Sequence, residues 1–483
     1  MTQDSSATSE SIGRSTVWSF IDSSGRQLLS LVFFLITIRF ISQEAFGTIA
    51  IALLVIEFCK QIAIESIATS LTAQQRLEQS DYQASFLLIL CTSLLCYGLV
   101  LISAPLLAHI FTNGALRDIV PALAPAILMH GVSRVQEIWL VKHAAFKSLA
   151  YRSLISVIIG GTVGVCLAVQ GYGVIALAVQ YVVIALISCL LLWRYTPWSP
   201  HGGGRLSEMC QIARNARYII ASSATIFTNS QSDIAFASYY LGDAATGVYN
   251  AAKRITLAIN TMIVTSLNRV ALPSFAKLET RAQIQHAYLG AISSTSFCTA
   301  LLYGGASFTS PFLVEILLGD AWLEAAPIFS LLLINSYLTT VDQYNHMLLL
   351  THKKSHWQTG LMLANMVASL IIFAIFARFG LLYLAMAFTV RALCFYPVAT
   401  YLALKLTGLS FRQYFPHIAP SVASALCMSA GLYVSREAVI VDYAVVNIVL
   451  CSVLGLILYI TAYLAIDRYG MQRIITQMRR SFG

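Results

Sequence analysis

The 483-residue chain is 58% hydrophobic and only 11% charged, against about 45–50% apolar and about 25% charged in soluble domains. Its mean hydropathy of +0.75 excludes a water-soluble enzyme and a disordered regulator, since a soluble fold of this length needs far more Lys, Glu and Asp on its surface. Thirty Lys+Arg against twenty-one Asp+Glu give a formal charge of +9; in a chain solvated by lipid this is a topology signal, and no nucleic-acid partner is inferred from it.

Residues 1–14, MTQDSSATSESIGR, are polar and are assigned to a cytoplasmic tail. The apolar stretch that follows lacks a small-residue cleavage site, so it is expected to remain as a membrane anchor. Apolar windows long enough to cross a bilayer, at roughly 20 residues each, recur at about 15–40, 46–70, 83–108, 119–140, 153–170 and 173–193. They resume at about 218–240, 248–272, 286–309, 325–350, 357–378, 380–404, 417–434 and 441–465. The fold class expected is therefore all-α integral membrane with about 14 transmembrane helices; continuous apolar runs without a period of two exclude a barrel.

Loop charges orient the chain. With the N-terminus in the cytoplasm, nineteen cations fall in cytoplasmic segments and only Arg117, Arg378 and Arg436 in outer ones. That asymmetry predicts an even number of crossings with both termini cytoplasmic. The ten cysteines form no CxxC pair and read as small apolar residues. His352 and His356 are spaced i, i+4 but lack an acidic or Cys companion, so no metal and no cofactor is expected.

A repeat appears at an offset of 200 residues. Phe40-Ile-Ser-Gln-Glu-Ala-Phe-Gly47 joins the first two windows, and Tyr240-Leu-Gly-Asp-Ala-Ala-Thr-Gly247 joins the seventh and eighth. The expected organisation is a six-helix lobe over 15–193, a polar linker over 194–217, a second six-helix lobe over 218–404, a helix pair over 405–466 and a basic cytoplasmic tail over 467–483. Duplicated bundles that rock around a central site are a recurring transporter plan.

The stretch Tyr240–Leu278, with Gly247, Tyr249, Ala252 and Arg254 in a Gly-x-Tyr-x-x-Ala-x-Arg run and Leu272 to Phe275 reading Leu-Pro-Ser-Phe, resembles the Wzx-type flippases of surface polysaccharide export. The opening GRSTVWSFIDSSGRQLLSLVFFLITIRFISQEAFGTIAIA carries the same resemblance. That family belongs to a superfamily that also holds multidrug exporters and lipid II flippases. The resemblance implies translocation of an undecaprenyl-diphosphate-linked glycan from the inner to the outer leaflet of the bacterial cytoplasmic membrane. Its implied partners are that glycan lipid, membrane lipid and other polysaccharide-assembly membrane proteins.

An ionised side chain at the bilayer centre costs about 2.5–3.5 kcal/mol on insertion scales. Some such residues have a neutralising neighbour on their own helix: Asp22 and Arg26 at i, i+4, Glu57 and Lys60 at i, i+3, and Arg134 and Glu137 at i, i+3. Arg39 and Arg269 lie near helix ends and can snorkel. The first lobe balances its charges, whereas the second holds Lys253, Arg254, Arg269 and Arg391 against only Asp233 and Asp342. Arg26, Lys253, Arg254 and Arg391 are therefore the expected ligands of the diphosphate, since a guanidinium fork bonds two phosphate oxygens at once.

Asp233, Asp342, Glu57 and Glu65 are candidates for ion coupling. Asn229, Ser230, Gln231, Asn260, Gln343 and Asn345 are candidates for sugar contacts, with interhelical hydrogen bonding as the alternative for each. Pro397 is a candidate hinge six residues beyond Arg391. No P-loop is present, so this chain is not expected to hydrolyse nucleotide. A multidrug or cation antiporter on the same fold and a membrane polysaccharide polymerase or ligase are the rival readings; the cationic excess disfavours the first and the short outer segments the second. Replacing Arg254 or Arg391 by Ala is expected to abolish glycan export while protein levels stay normal, and unimpaired export from both variants would overturn the diphosphate assignment.

Overall fold

The computed structural model describes residues 17–74, 77–202, 205–276, 280–351, 355–435 and 444–473, and within them all side chains except those of 262, 265–276 and 355. The described elements are helices. In order they are α1 (Val17–Phe40), α2 (Gln43–Thr72), α3 (Gln79–Ile110), α4 (Pro125–Lys142), α5 (Phe146–Val169) and α6 (Val174–Tyr195), with the short helix Leu116–Leu123 before α4. The continuous stretch Leu206–Ala276 is broken at Gly242, where φ is 82° and ψ −176°. Side chains disfavour that conformation, so the stretch is two helices, α7 (206–241) and α8 (243–276). There follow α9 (Arg281–Phe308), bent by 72° into the short helix Ser310–Leu318, then α10 (Ala325–Thr351), α11 (His356–Phe379), α12 (Leu381–Thr407), α13 (Phe411–Val434) and α14 (Ala444–Ile466).

The described part of each of the fourteen sequence windows falls on a helix. Ten of these helices are long and apolar enough to cross a membrane alone, and α9 with its bent continuation makes up to eleven. The helices outside that count are α4, α7 and α8. They carry Arg134 and Glu137, Asn229, Gln231 and Asp233, and Lys253, Arg254 and Asn260.

Burial is inverted relative to a water-soluble protein. Leu95 (63% exposed), Ile102 (75%) and Leu426 (66%) point outward, while Gln136, Asp233 and Asn345 are fully enclosed. Such an arrangement is stable only where the surrounding solvent is itself apolar.

The chain divides into two compact units, Met1–Gly247 and Val248–Gly483. In the first, α5 packs against α1 and α6, and α4 against α3 and α6. Gly160 and Gly164 let α5 approach α6 closely: a Cβ on either would come within 2.4 Å of Ile184 or 2.7 Å of Gln180. Of the segment 194–217, expected as a linker, only 196–205 lies between α6 and α7, the remainder being helical, and α7 belongs to the first unit. In the second unit α10 lies against α9 and α12, α11 against α12, and the terminal pair α13 and α14 against each other and α9. A buried cluster of Ala300, Met428, Leu432, Cys451, Tyr459 and Tyr463 fixes that pair. At the end of α12, Gly408 takes a left-handed turn (φ 71°), and Arg281 Nε and Gln285 Nε2 donate to the freed Thr407 carbonyl at 2.7 and 2.8 Å. Within α12 the helix runs on through Pro397.

Candidate functional site: charged and polar groups of the spanning helices

Six charged side chains of the first unit pair with each other. Lys60 Nζ lies 2.6 Å from Glu57 Oε1, which also accepts from Tyr181 Oη at 2.7 Å. Arg134 bridges Glu65 and Glu137 at 2.6 Å each, and Glu137 accepts in addition from Arg152 at 3.1 Å. Arg152 Nη1 also donates to Ser188 at 3.2 Å. Three carboxylates and three cations thus form ion pairs across α2, α4 and α5, with α6 supplying Tyr181 and Ser188. In α2 the residues Lys60–Glu65 form a π-helical turn, which rotates the charged positions away from simple α spacing.

The sequence pairs Glu57–Lys60 and Arg134–Glu137 form as expected. Asp22 and Arg26 do not meet as i, i+4 partners. A second π-helical turn, Ile21–Gly25, lies between them, so four residues no longer make one α turn; Asp22 accepts from Ser153 Oγ, and Arg26 is exposed on α1. Arg39 is exposed in the closing turn of α1, as snorkelling requires. Of the candidate coupling carboxylates, Glu57 and Glu65 both lie inside the ion-pair network. On α7, Asp233 is fully buried and its Oδ1 accepts from the Ile234 backbone N–H at 3.0 Å, while Asn229 and Gln231 are half-buried and Ser230 is exposed.

The second unit is built differently. Lys253 is 6% and Arg391 7% exposed, and Arg254 is half-buried beside Lys253 on α8. Arg391 donates to Ser369 Oγ of α11 and lies over the rings of Phe388 (4.6 Å) and Phe373 (5.5 Å), a cation–π environment. Asp342 accepts from Asn345 at 2.8 Å and faces His346 at 3.3 Å, both on its own helix. Asn260 accepts from Tyr303 (2.9 Å) and Thr340 (3.0 Å), and Asn345 donates to Thr400 (3.0 Å) and accepts from Tyr288. Both asparagines thus make interhelical hydrogen bonds; Gln343 is half-buried. The side chain of Arg269 and the whole of His352 lie outside the described residues.

Sequence reasoning missed Arg152, placed in a loop but standing within α5, and Tyr181. It also missed a tyrosine-rich hydroxyl network in the second unit, where Tyr344 pairs with Thr295 (2.7 Å), Tyr337 with Ser296 (2.8 Å) and Tyr396 with Tyr414 (2.7 Å). The density of Tyr in the windows 286–309 and 325–350 was its only signal.

The two copies of the 200-residue repeat meet reciprocally within the first unit. A Cβ at Gly47 would lie 1.8 Å from the Asp243 carbonyl oxygen, and a Cβ at Gly247 would lie 2.0 Å from that of Gln43. Residue 47 meets 243 as residue 247 meets 43, the signature of a two-fold relation between like segments. At this crossing backbone touches backbone, and only glycine fits at either position.

The model of the polysaccharide biosynthesis protein family matches residues 36–327, from the end of α1 past the bend after α9. The chain belongs to that family. Among curated relatives of this polysaccharide biosynthesis protein, it is 26% identical to the succinoglycan biosynthesis transport protein ExoT of Rhizobium meliloti (strain 1021), over 68% of this chain and 67% of that one. It is 23% identical to the teichuronic acid biosynthesis protein TuaB of Bacillus subtilis (strain 168), over 71% and 72%. Among solved structures, the inward closed lipid II flippase MurJ superposes with a TM-score of 0.76 at 14% identity, covering 94% of this chain and 99% of that one. A MOP superfamily transporter from Pyrococcus furiosus gives 0.51 at 14% identity, over 82% and 95%. The all-helical transporter fold, the multi-pass membrane character and a transport rather than enzymatic role follow from these relationships.

The ion-pair network gives a direct test. Glu137→Gln removes the carboxylate that serves both Arg134 and Arg152, and leaves two largely buried guanidinium groups short of a partner. A loss of about 3 kcal/mol is expected, at the low end for a broken buried pair because the network is not wholly enclosed. Thermal unfolding of the detergent-solubilised protein measures it; an unchanged midpoint would show that the pairs contribute nothing to stability.

Proposed function

We propose that this protein is a flippase that carries an undecaprenyl-diphosphate-linked oligosaccharide from the inner to the outer leaflet of the bacterial cytoplasmic membrane by alternating access. The carrying observation is that three cations, Lys253, Arg254 and Arg391, stand in spanning helices of the second unit, with Arg391 set over the rings of Phe388 and Phe373 beside Ser369. Embedding net positive charge in oil is costly, and an anionic headgroup that visits those helices offsets the cost. Family membership and the transport role named for ExoT support a polysaccharide precursor as that anion.

In this reading Lys253, Arg254 and Arg391 receive the diphosphate, and Arg26 contacts the same group during its passage. The tyrosine, asparagine and threonine hydroxyl network of the second unit offers hydrogen bonds to sugar, with Asn229, Gln231, Asn260 and Gln343 as the amide contributors. The isoprenoid tail stays in the bilayer. Asp233 and Asp342 remain the proposed coupling carboxylates, together with Glu57 and Glu65 if the network opens during transport. Both termini are assigned to the cytoplasm on the nineteen-to-three division of loop cations.

Depletion of the protein in its host is expected to trap lipid-linked glycan in the inner leaflet, out of reach of a membrane-impermeant sugar-oxidising reagent applied from outside. Reagent access undiminished after depletion would contradict flippase activity.

A further inference from the structure

The reciprocal glycine crossing is held by side chains that none of the preceding roles uses. Asp243 is the first residue of α8, immediately after the Gly242 break and five residues before the apolar window 248–272. Asn113, in the turn between α3 and α4, donates through Nδ2 to Asp243 Oδ2 at 2.6 Å and to Thr48 Oγ1, on α2, at 2.9 Å. Thr48 in turn donates to the Glu44 carbonyl at 3.0 Å, and Asn113 Oδ1 accepts from the Ala115 N–H at 2.9 Å, so the bridging amide is fixed in orientation. One side chain thus ties the first turn of α2 to the first turn of α8 where their backbones touch. The second carboxyl oxygen of Asp243, Oδ1, is buried without a hydrogen-bond partner.

We propose that Asp243 and Asn113 form a proton-operated latch that keeps the first turns of α2 and α8 packed while Asp243 is protonated and lets them part when it ionises. Three observations carry this. The packing is all-or-none, because two backbone-to-glycine contacts leave no room for intermediate side-chain adjustment. The one acidic group in the bridge has an oxygen with neither water-like exposure nor a donor, which penalises the ionised form. The charged group facing Asp243 from α2 is Glu44, a like charge, while the α3–α4 turn presents the neutral Asn113. Burial accordingly raises the Asp243 carboxyl above its ordinary range; the Asn113 hydrogen bond opposes that rise and Glu44 adds to it.

The sign follows from linkage. The packed form holds its proton more tightly than the parted, hydrated form, whose carboxyl titrates near ~3.9. Protonation therefore favours packing fully below that value, and the contribution is lost as pH rises through the packed-state pKa. That this end of the helices faces the outside rests on the flippase reading and its topology. In that reading the latch senses external protons and favours closure of the outer end once cargo has left.

The test needs no cargo. In a full-length chain with its ten native cysteines replaced by Ala, spin labels are placed at Phe40→Cys and Tyr239→Cys, on exposed positions at the adjoining ends of α1 and α7. Double electron–electron resonance then gives the distance distribution at about pH 3.5, below the ordinary carboxyl value, and at about pH 8, well above it. The short-distance population is expected to dominate at the lower pH and to be lost at the higher. Asp243→Asn is expected to keep it at both, and Asn113→Ala to lose it at both. Identical wild-type distributions at the two pH values, or an Asp243→Asn chain that shifts as the wild type does, would overturn the latch. Either result leaves the depletion experiment on flippase activity unaffected, and the converse also holds.

Discussion

The constraint that organises this molecule is the cost of charge in oil. A spanning helix with an ionised side chain needs a partner for it, and the protein meets that need in two ways. Between α2, α4 and α5 the partners are built in: Glu57 with Lys60, and Arg134 held between Glu65 and Glu137, with Arg152 closing the chain. These pairs are weak evidence for stability as such, because desolvation cancels much of their attraction; they do fix the register of the helices that carry them. On α12 the cation Arg391 has aromatic and hydroxyl surroundings, namely Phe373, Phe388 and Ser369. An interior of that kind tolerates a cation.

This division accounts for other features of the fold. Polar and charged side chains cluster on α4, α7 and α8, and the Gly-x-Tyr-x-x-Ala-x-Arg run lies there too. Gly247, Tyr249 and Ala252 precede Arg254 in the signature run, and Tyr249 and Ala252 are fully enclosed. The run, whose Gly247 belongs to the reciprocal glycine crossing, is thus first a packing device that fixes the start of α8, and Arg254 inherits its position from it.

Much of the architecture was legible in the sequence because membrane helices announce themselves by apolar length alone. The described part of every one of the fourteen windows falls on a helix, while ten helices, or eleven with the bent α9, are long and apolar enough to cross a membrane. The i, i+3 pairs were legible because both partners share a helix. Glu65–Arg134 and Glu57–Tyr181 were not, since they join residues 69 and 124 positions apart and depend on tertiary packing that spacing does not encode. Asp22–Arg26 was misread because spacing arguments assume α geometry, and Ile21–Gly25 is a π turn. The repeat itself could be read from Gly47 and Gly247; that its copies touch each other, and that Asn113 from a third segment ties them together, could not.

The central claim is that the buried cations of α8 and α12 exist to receive an anionic lipid headgroup. The most direct measurement is the affinity of the purified protein for a polyprenyl diphosphate compared with the same polyprenyl chain bearing a neutral headgroup, in wild type and in Arg254→Gln. The account predicts a preference for the diphosphate of at least about tenfold, equivalent to about 1.4 kcal/mol, that is lost in the variant. Equal affinity for the two lipids, or a preference that survives the loss of Arg254, would contradict it.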